Sequence, residues 1–148
     1  MNRSVEDRIR ERIDHIEAAY EFMLAYAAQG VTGEEEGGSA TEIRAQLKRS
    51  EEALEGLAAL AEELVATGSL KPTQPYRSFI GVLERDAASA QAAILLALAQ
   101  PALSSQLIDN LNALIHVRSL LTDLFFIDEI LKLQQTRRQR TTTKTEDQ

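Results

Sequence analysis

The amino-acid sequence predicts an all-α fold, an antiparallel up-down four-helix bundle with long helices, on three observations. Apolar residues recur at alternating spacings of three and four across four segments of helix length, the period of a helix face turned toward a core. Alanine, leucine, glutamate and arginine dominate while aromatic residues make up only 5% of the chain, a composition that favours helices over sheets. Gly30, Gly68, Pro72, Pro75 and Pro101 punctuate the segments at their ends. With 148 residues the chain has the length of one domain with a core of its own, read as a helical body over 1–135 and a polar tail over 136–148.

The first helix runs from about Val5 to Gln29. Ser4 and Asp7 stand in capping-box spacing at its start, and Gly30 stops it. Ile9, Ile13, Ile16, Tyr20, Met23 and Ala27 form its core stripe. Residues 30–41 then combine four glycines with Glu34, Glu35 and Glu36 and show no apolar period, which reads as a flexible acidic loop. A second capping box, Ser39 with Glu42, restarts the pattern, and Ile43, Leu47, Leu54, Leu57, Ala61 and Leu64 carry it as one helix to Gly68. Ser50 takes a polar place in that seam. The remaining faces are charged or alanine, so this helix belongs on the outside.

A connection around Pro72 leads to a third helix beginning near Pro75, where a missing amide proton is harmless. Its seam is Ile80, Leu83, Ala87, Ala90, Ile94 and Ala97. From Ala87 to Ala99 small and aliphatic residues surround the helix, so this segment is expected to be the most enclosed. Ser104 or Ser105 caps a fourth helix extending to about Gln135, with Leu114, Val117, Leu120, Leu121, Leu124, Phe125, Ile127 and Leu131 as its main stripe. Beyond Gln135 the apolar residues stop, and the polar, initially basic tail is expected to be disordered.

The first and fourth helices each carry a second apolar seam beside the one a simple bundle needs. On the first it is His15, Ala19, Phe22 and Tyr26; on the fourth it is Ile115, Ser119, Thr122, Phe126, Ile130 and Leu133. Bulky apolar groups on a face that should meet water mark a surface that meets another polypeptide. In an up-down bundle these two helices are neighbours, so both seams share one flank. His15, Ala19, Phe22, Tyr26, Ile115, Phe126, Ile130 and Leu133 are therefore the candidate interface, with a two-fold homodimer as the expected assembly and a dedicated protein partner as the other.

Charge and residue types restrict the chemistry. The chain carries a net charge of −7, and its first 67 residues hold seven basic against fifteen acidic groups, so binding to nucleic acid is disfavoured. There is no cysteine, hence no disulfide or thiolate site. The longest apolar run, Ala92 to Ala99, is too short to cross a bilayer, and a soluble cytoplasmic protein is expected. The two histidines, His15 and His116, lack a glutamate three residues earlier, so no carboxylate-bridged metal site is expected and no cofactor is called for. Glu34 to Glu36 read as a solvated run. Asp128 lies within the main stripe of the fourth helix and calls for a partner, with Arg12 on the same flank.

The stretch Ile9-Arg10-Glu11-Arg12-Ile13-Asp14-His15-Ile16-Glu17 resembles the opening of the first helix in all-helical chorismate mutases, roughly Leu-Arg-x-x-Ile-Asp-x-Ile-Asp. The resemblance covers under a sixth of the chain. It implies a helical enzyme in which Arg10 clamps a substrate carboxylate. The chain departs from that pattern where the family has a second arginine, since Ala27 and Ala28 stand there, and no lysine follows in the loop. Electrostatic clamping needs those cations, so no catalytic residue is assigned.

The expected function is therefore non-enzymatic: an adaptor, chaperone or regulatory accessory subunit. The alternative is a bundle holding an apolar or aromatic small molecule between its helices, with Tyr20 and Asp128 as polar fixings.

Overall fold

Ser4 opens the first helix as its spacing implies, its hydroxyl accepting the Asp7 amide at 3.1 Å in the computed structural model. The structure describes residues 4–33, 38–68 and 70–146, without the side chains of residues 138 and 141–146. Among the described residues there are six α-helices and no strand: α1 (Val5–Ala27), α2 (Ser39–Leu54), α3 (Leu57–Ala66), α4 (Thr73–Leu98), α5 (Ser105–Ala113) and α6 (Ile115–Glu146).

Six helices replace the expected four because two segments break. The second segment breaks at Glu55, whose ψ of 122° leaves the helix, and at Gly56, whose φ of +72° is the left-handed conformation glycine adopts at least cost. Arg12 of α1 holds this break, donating to the carbonyls of Ala53 at 3.3 Å and of Glu55. A cation at the open carbonyl end of a helix satisfies both hydrogen bonding and the helix dipole. Arg12 thus caps α2 and does not pair with Asp128 as the sequence suggested.

The fourth segment breaks at Leu114, which is extended (φ −61°, ψ 132°) and separates α5 from α6. No glycine or proline marks this step. Ser104 caps α5 as expected, accepting the Leu107 amide at 3.0 Å. The α6 helix continues past Gln135 to Glu146, so the segment expected to be a disordered tail is helical through residue 146. Arginine and glutamine propagate a helix well once nucleated, and Thr136 returns its hydroxyl to the Lys132 carbonyl at 3.0 Å. The second capping box does not form either: Gly38 is the cap of α2, Ser39 lies inside the helix, and Glu42 accepts the Gln46 amide at 2.8 Å.

The interior joins the predicted stripes. Ile9, Ile13, Ile16 and Met23 of α1 meet Ile43 and Leu47 of α2, Leu57 and Leu64 of α3, Leu83 and Ile94 of α4, Ile108 of α5, and Leu120, Leu124 and Leu131 of α6. Each such side chain, taken fully out of water, stabilises the fold by about 1.5–3 kcal/mol before the cost of ordering the chain. The second half of α4 is not the most enclosed segment, since Leu95 and Leu96 face solvent. The α1 helix packs against α2, α3, α5 and α6, and so is covered from more sides than its stripe alone implied.

Polar contacts fix which ends meet. Arg44 near the start of α2 donates to the carbonyls of Leu98 and Gln100 at the end of α4, at 3.1 and 2.7 Å. Arg77 near the start of α4 pairs with Glu62 of α3 at 2.9 Å, and Gln91 bridges Glu51 and Glu55 at 2.8 Å each. Arg10 of α1 reaches Gln135 of α6 at 3.2 Å.

At the other end of α1 the segments 26–33 and 103–105 are clasped together. The Ser105 amide donates to the Val31 carbonyl and the Val31 amide to Ser105 Oγ, both at 2.8 Å, while that hydroxyl donates to the Tyr26 carbonyl at 2.6 Å. The Tyr26 hydroxyl donates to the Leu103 carbonyl. Gly33 is required here: its φ is +92°, and a Cβ would lie 3.0 Å from Leu103 C and Ser104 N.

Candidate functional site

The outer face of α6 carries large apolar side chains in one line. Ile115 and Leu133 are separated by five full helical turns, and Phe126 falls within about 20° of the same direction, so the three mark a straight stripe about 27 Å long. They are 71%, 61% and 55% exposed. Phe125 is also exposed, roughly 100° around the helix from Phe126. Ile130 is half-buried and turns from the stripe toward the body, while Phe126 leans on Phe79 of α4 with ring centroids 5.4 Å apart and planes tilted by 53°.

The matching seam on α1 does not form a surface. Ala19 and Tyr26 are fully buried, Phe22 is half-buried against the core, and only His15 is exposed. This corrects the candidate interface at Ala19 and Tyr26. The reason is the break at Leu114, which frees α5 to pack on the C-terminal half of α1, where the clasp consumes the Tyr26 hydroxyl. Periodicity alone makes α5 and α6 one rod, which would leave that side of α1 uncovered.

Beside the α6 stripe lies a cavity of about 400 Å³. Ile9 and Ile13 of α1, Ala61 and Leu64 of α3, Tyr76, Ile80 and Leu83 of α4, and Ile127 and Ile130 of α6 contribute to its wall, as do Leu70 and Pro72 between α3 and α4. Among the described residues no charged side chain lines it. The Tyr76 hydroxyl accepts the side-chain amide of Gln134 at 3.2 Å. Tyr20 and Asp128, the polar fixings expected for a bound molecule, are not part of the wall. Tyr20 packs half-buried against the core, and Asp128 pairs with Lys132 one turn along α6 at 3.0 Å. That bond and the negative charge of Asp128 hold Lys132 more firmly protonated than usual. Glu17 of α1 faces the same region, and partial burial, with repulsion from Asp128 and Asp14, raises its pKa.

A feature with no signal in the sequence is the pair Asp86 of α4 and Asp123 of α6. Burial, a hydrogen bond from the one carboxyl to the other, and the charge of Asp86 push the Asp123 pKa from the ordinary 3.8 to about 7. A carboxyl that is partly out of water and set against a second carboxyl favours its neutral form. Each aspartate reads as a surface residue in its own helix, and only the packing of α4 on α6 brings them together.

Arg10, the residue matching the chorismate mutase clamp, is tied to Glu6 at 3.2 Å and to Gln135. Arg8, Arg12, His15 and Arg49 border a polar cleft between α1 and α2, interleaved with Glu11 and Glu52, and Arg12 is committed to the end of α2. Arg10 is not among the residues that border this cleft. Among the described residues no three His, Cys, Asp or Glu side chains gather to hold a metal ion, and no helix is long and apolar enough to cross a membrane. The Glu34 to Glu36 run lies outside the described residues. No protein family, curated protein or solved structure matches the chain.

Proposed function

We propose that the chain is a non-enzymatic helical interaction protein, an adaptor, chaperone or regulatory accessory subunit, that pairs with a second copy through the outer stripe of α6. In this reading α2 with α3 and α5 with α6 act as two broken columns, which beside α1 and α4 make an up-down four-helix body. The observation that carries the proposal is the alignment of Ile115, Phe126 and Leu133 on one exposed line. A two-fold pairing lets the same line serve both partners, and each large side chain it removes from water contributes about 1.5–3 kcal/mol toward association. The half-buried Ile130 and exposed Phe125 flank the stripe and widen it. A cytoplasmic setting fits a chain without cysteine.

Light scattering at micromolar concentration tests this. The expected mass is that of a dimer, and Leu133→Glu combined with Phe126→Glu should return it to a monomer with unchanged helicity. A monomeric native chain, or a dimer indifferent to both substitutions, refutes the proposal.

A further inference from the structure

We propose that the apolar cavity between α1, α3, α4 and α6 is a binding site for one small, uncharged apolar or aromatic molecule. Its volume of about 400 Å³ lies within the range of sites for small ligands. An apolar cavity of roughly 150 Å³ takes up benzene, so this one has room for a molecule two to three times that size, such as two joined aromatic rings.

The chemistry of the wall selects the class. Water in the cavity would meet almost only carbon, and a water molecule needs two to four polar partners to be held. Ile13, Leu64, Ile80, Leu83 and Ile127 offer none, and the one hydroxyl among the described lining residues, that of Tyr76, accepts from Gln134 and leaves a single donor, fewer partners than a held water needs. An apolar guest loses its own hydration and makes dispersion contacts on several sides at once. A charged guest would have to leave water without a counter-charge in the wall. Its size suits a compact molecule, and side chains of α1, α3, α4 and α6 all contribute to the wall, so a guest is met by four helices at once.

The site is separable from the association stripe. Ile115 and Leu133 take no part in the cavity wall, whereas Phe126 and the flanking Ile130 belong to both. Substitution at Leu133, which only the stripe uses, therefore separates dimer formation from binding at the cavity.

The test uses the neutral fluorophore N-phenyl-1-naphthylamine with the full chain. One saturable site per chain is expected, with a rise in melting temperature, since a ligand bound only by the native state stabilises it. Ala61→Phe, which places a ring in the cavity, should weaken binding at least tenfold, while Leu133→Glu should leave it within about twofold. Absence of saturable binding overturns the proposal. So does equal binding by Ala61→Phe and the native chain, which would place the probe on the outer stripe. Should Ala61→Phe fail to fold, methyl resonances of the native chain decide: shifts at Ile80, Leu83 and Ile127 with Ile115 and Leu95 unmoved support the site, and the reverse pattern overturns it.

Discussion

Replacing Asp123 by asparagine should stabilise the protein at alkaline pH and leave it nearly unchanged in acid. In the folded chain Asp123 holds a proton up to about pH 7, whereas an unfolded aspartate releases it near 3.8. The folded state thus binds the proton more tightly, so the stability contributed by this group is complete below about pH 4 and is lost as the pH rises to about 7. At 1.36 kcal/mol per tenfold change in proton affinity the full effect would be about 4 kcal/mol. Asp123 is partly open to water, which screens the repulsion, and about 1–2 kcal/mol is the expected size. Asparagine keeps a donor for the Asp86 carboxylate and never ionises. Urea unfolding of both proteins at pH 5 and pH 8, at fixed concentration, gives the measurement. The variant should be more stable than the native chain by about 1–2 kcal/mol at pH 8 and within about 0.5 kcal/mol at pH 5. An equal difference at the two pH values, or a variant weaker at pH 8, would show that the folded chain does not keep Asp123 protonated toward neutral pH.

Other perturbations address the clasp between α1 and α5. Ser105→Ala leaves the Val31 amide without its acceptor and takes one donor from the Tyr26 carbonyl, which keeps the Gln29 amide, and should lower stability by about 1–3 kcal/mol in thermal or urea unfolding. Gly33→Ala forces a Cβ against the backbone of Leu103 and Ser104 at a positive φ, with an expected loss of about 1–3 kcal/mol. Gly30→Ala, also at positive φ but with nothing within 4 Å, should cost less, about 1–2 kcal/mol, and the comparison separates crowding from backbone strain.

The helix faces were legible because burial follows periodicity. The buried positions Ile9, Ile13, Ile16 and Met23 on α1, and Ile80, Leu83, Ala87, Ala90, Ile94 and Ala97 on α4, are those their spacing predicts. Ends with a local chemical cause were also legible, as at Ser4, Ser104 and Gly68. The interior breaks were not. Gly56 sits in a pattern that continues smoothly from Leu54 to Leu57, and Leu114 has no breaker beside it; the conformation of each follows from how distant helices pack. The same step at Leu114 explains the divided fate of the two outer seams. Ile115, Phe126 and Leu133 stayed outside as their spacing suggested, whereas Ala19 and Tyr26 were covered by a helix whose independence the sequence does not announce. The cavity and the Asp86–Asp123 pair exist only between elements, so no single segment could have signalled them.

The clasp also determines how α1 is retained. Its first turns are tied to α6 through Glu6, Arg10 and Gln135, and its last turn is tied to Leu103 and Ser105, so tertiary bonds secure it at both extremities without recourse to the stretch leading into α2. Severing the polypeptide between residues 33 and 38 should therefore yield two complementing fragments. A peptide of residues 1–33 added in trans to residues 38–148 should regain helical circular dichroism on mixing, and Ser105→Ala in the larger fragment should raise the concentration needed by about tenfold or more.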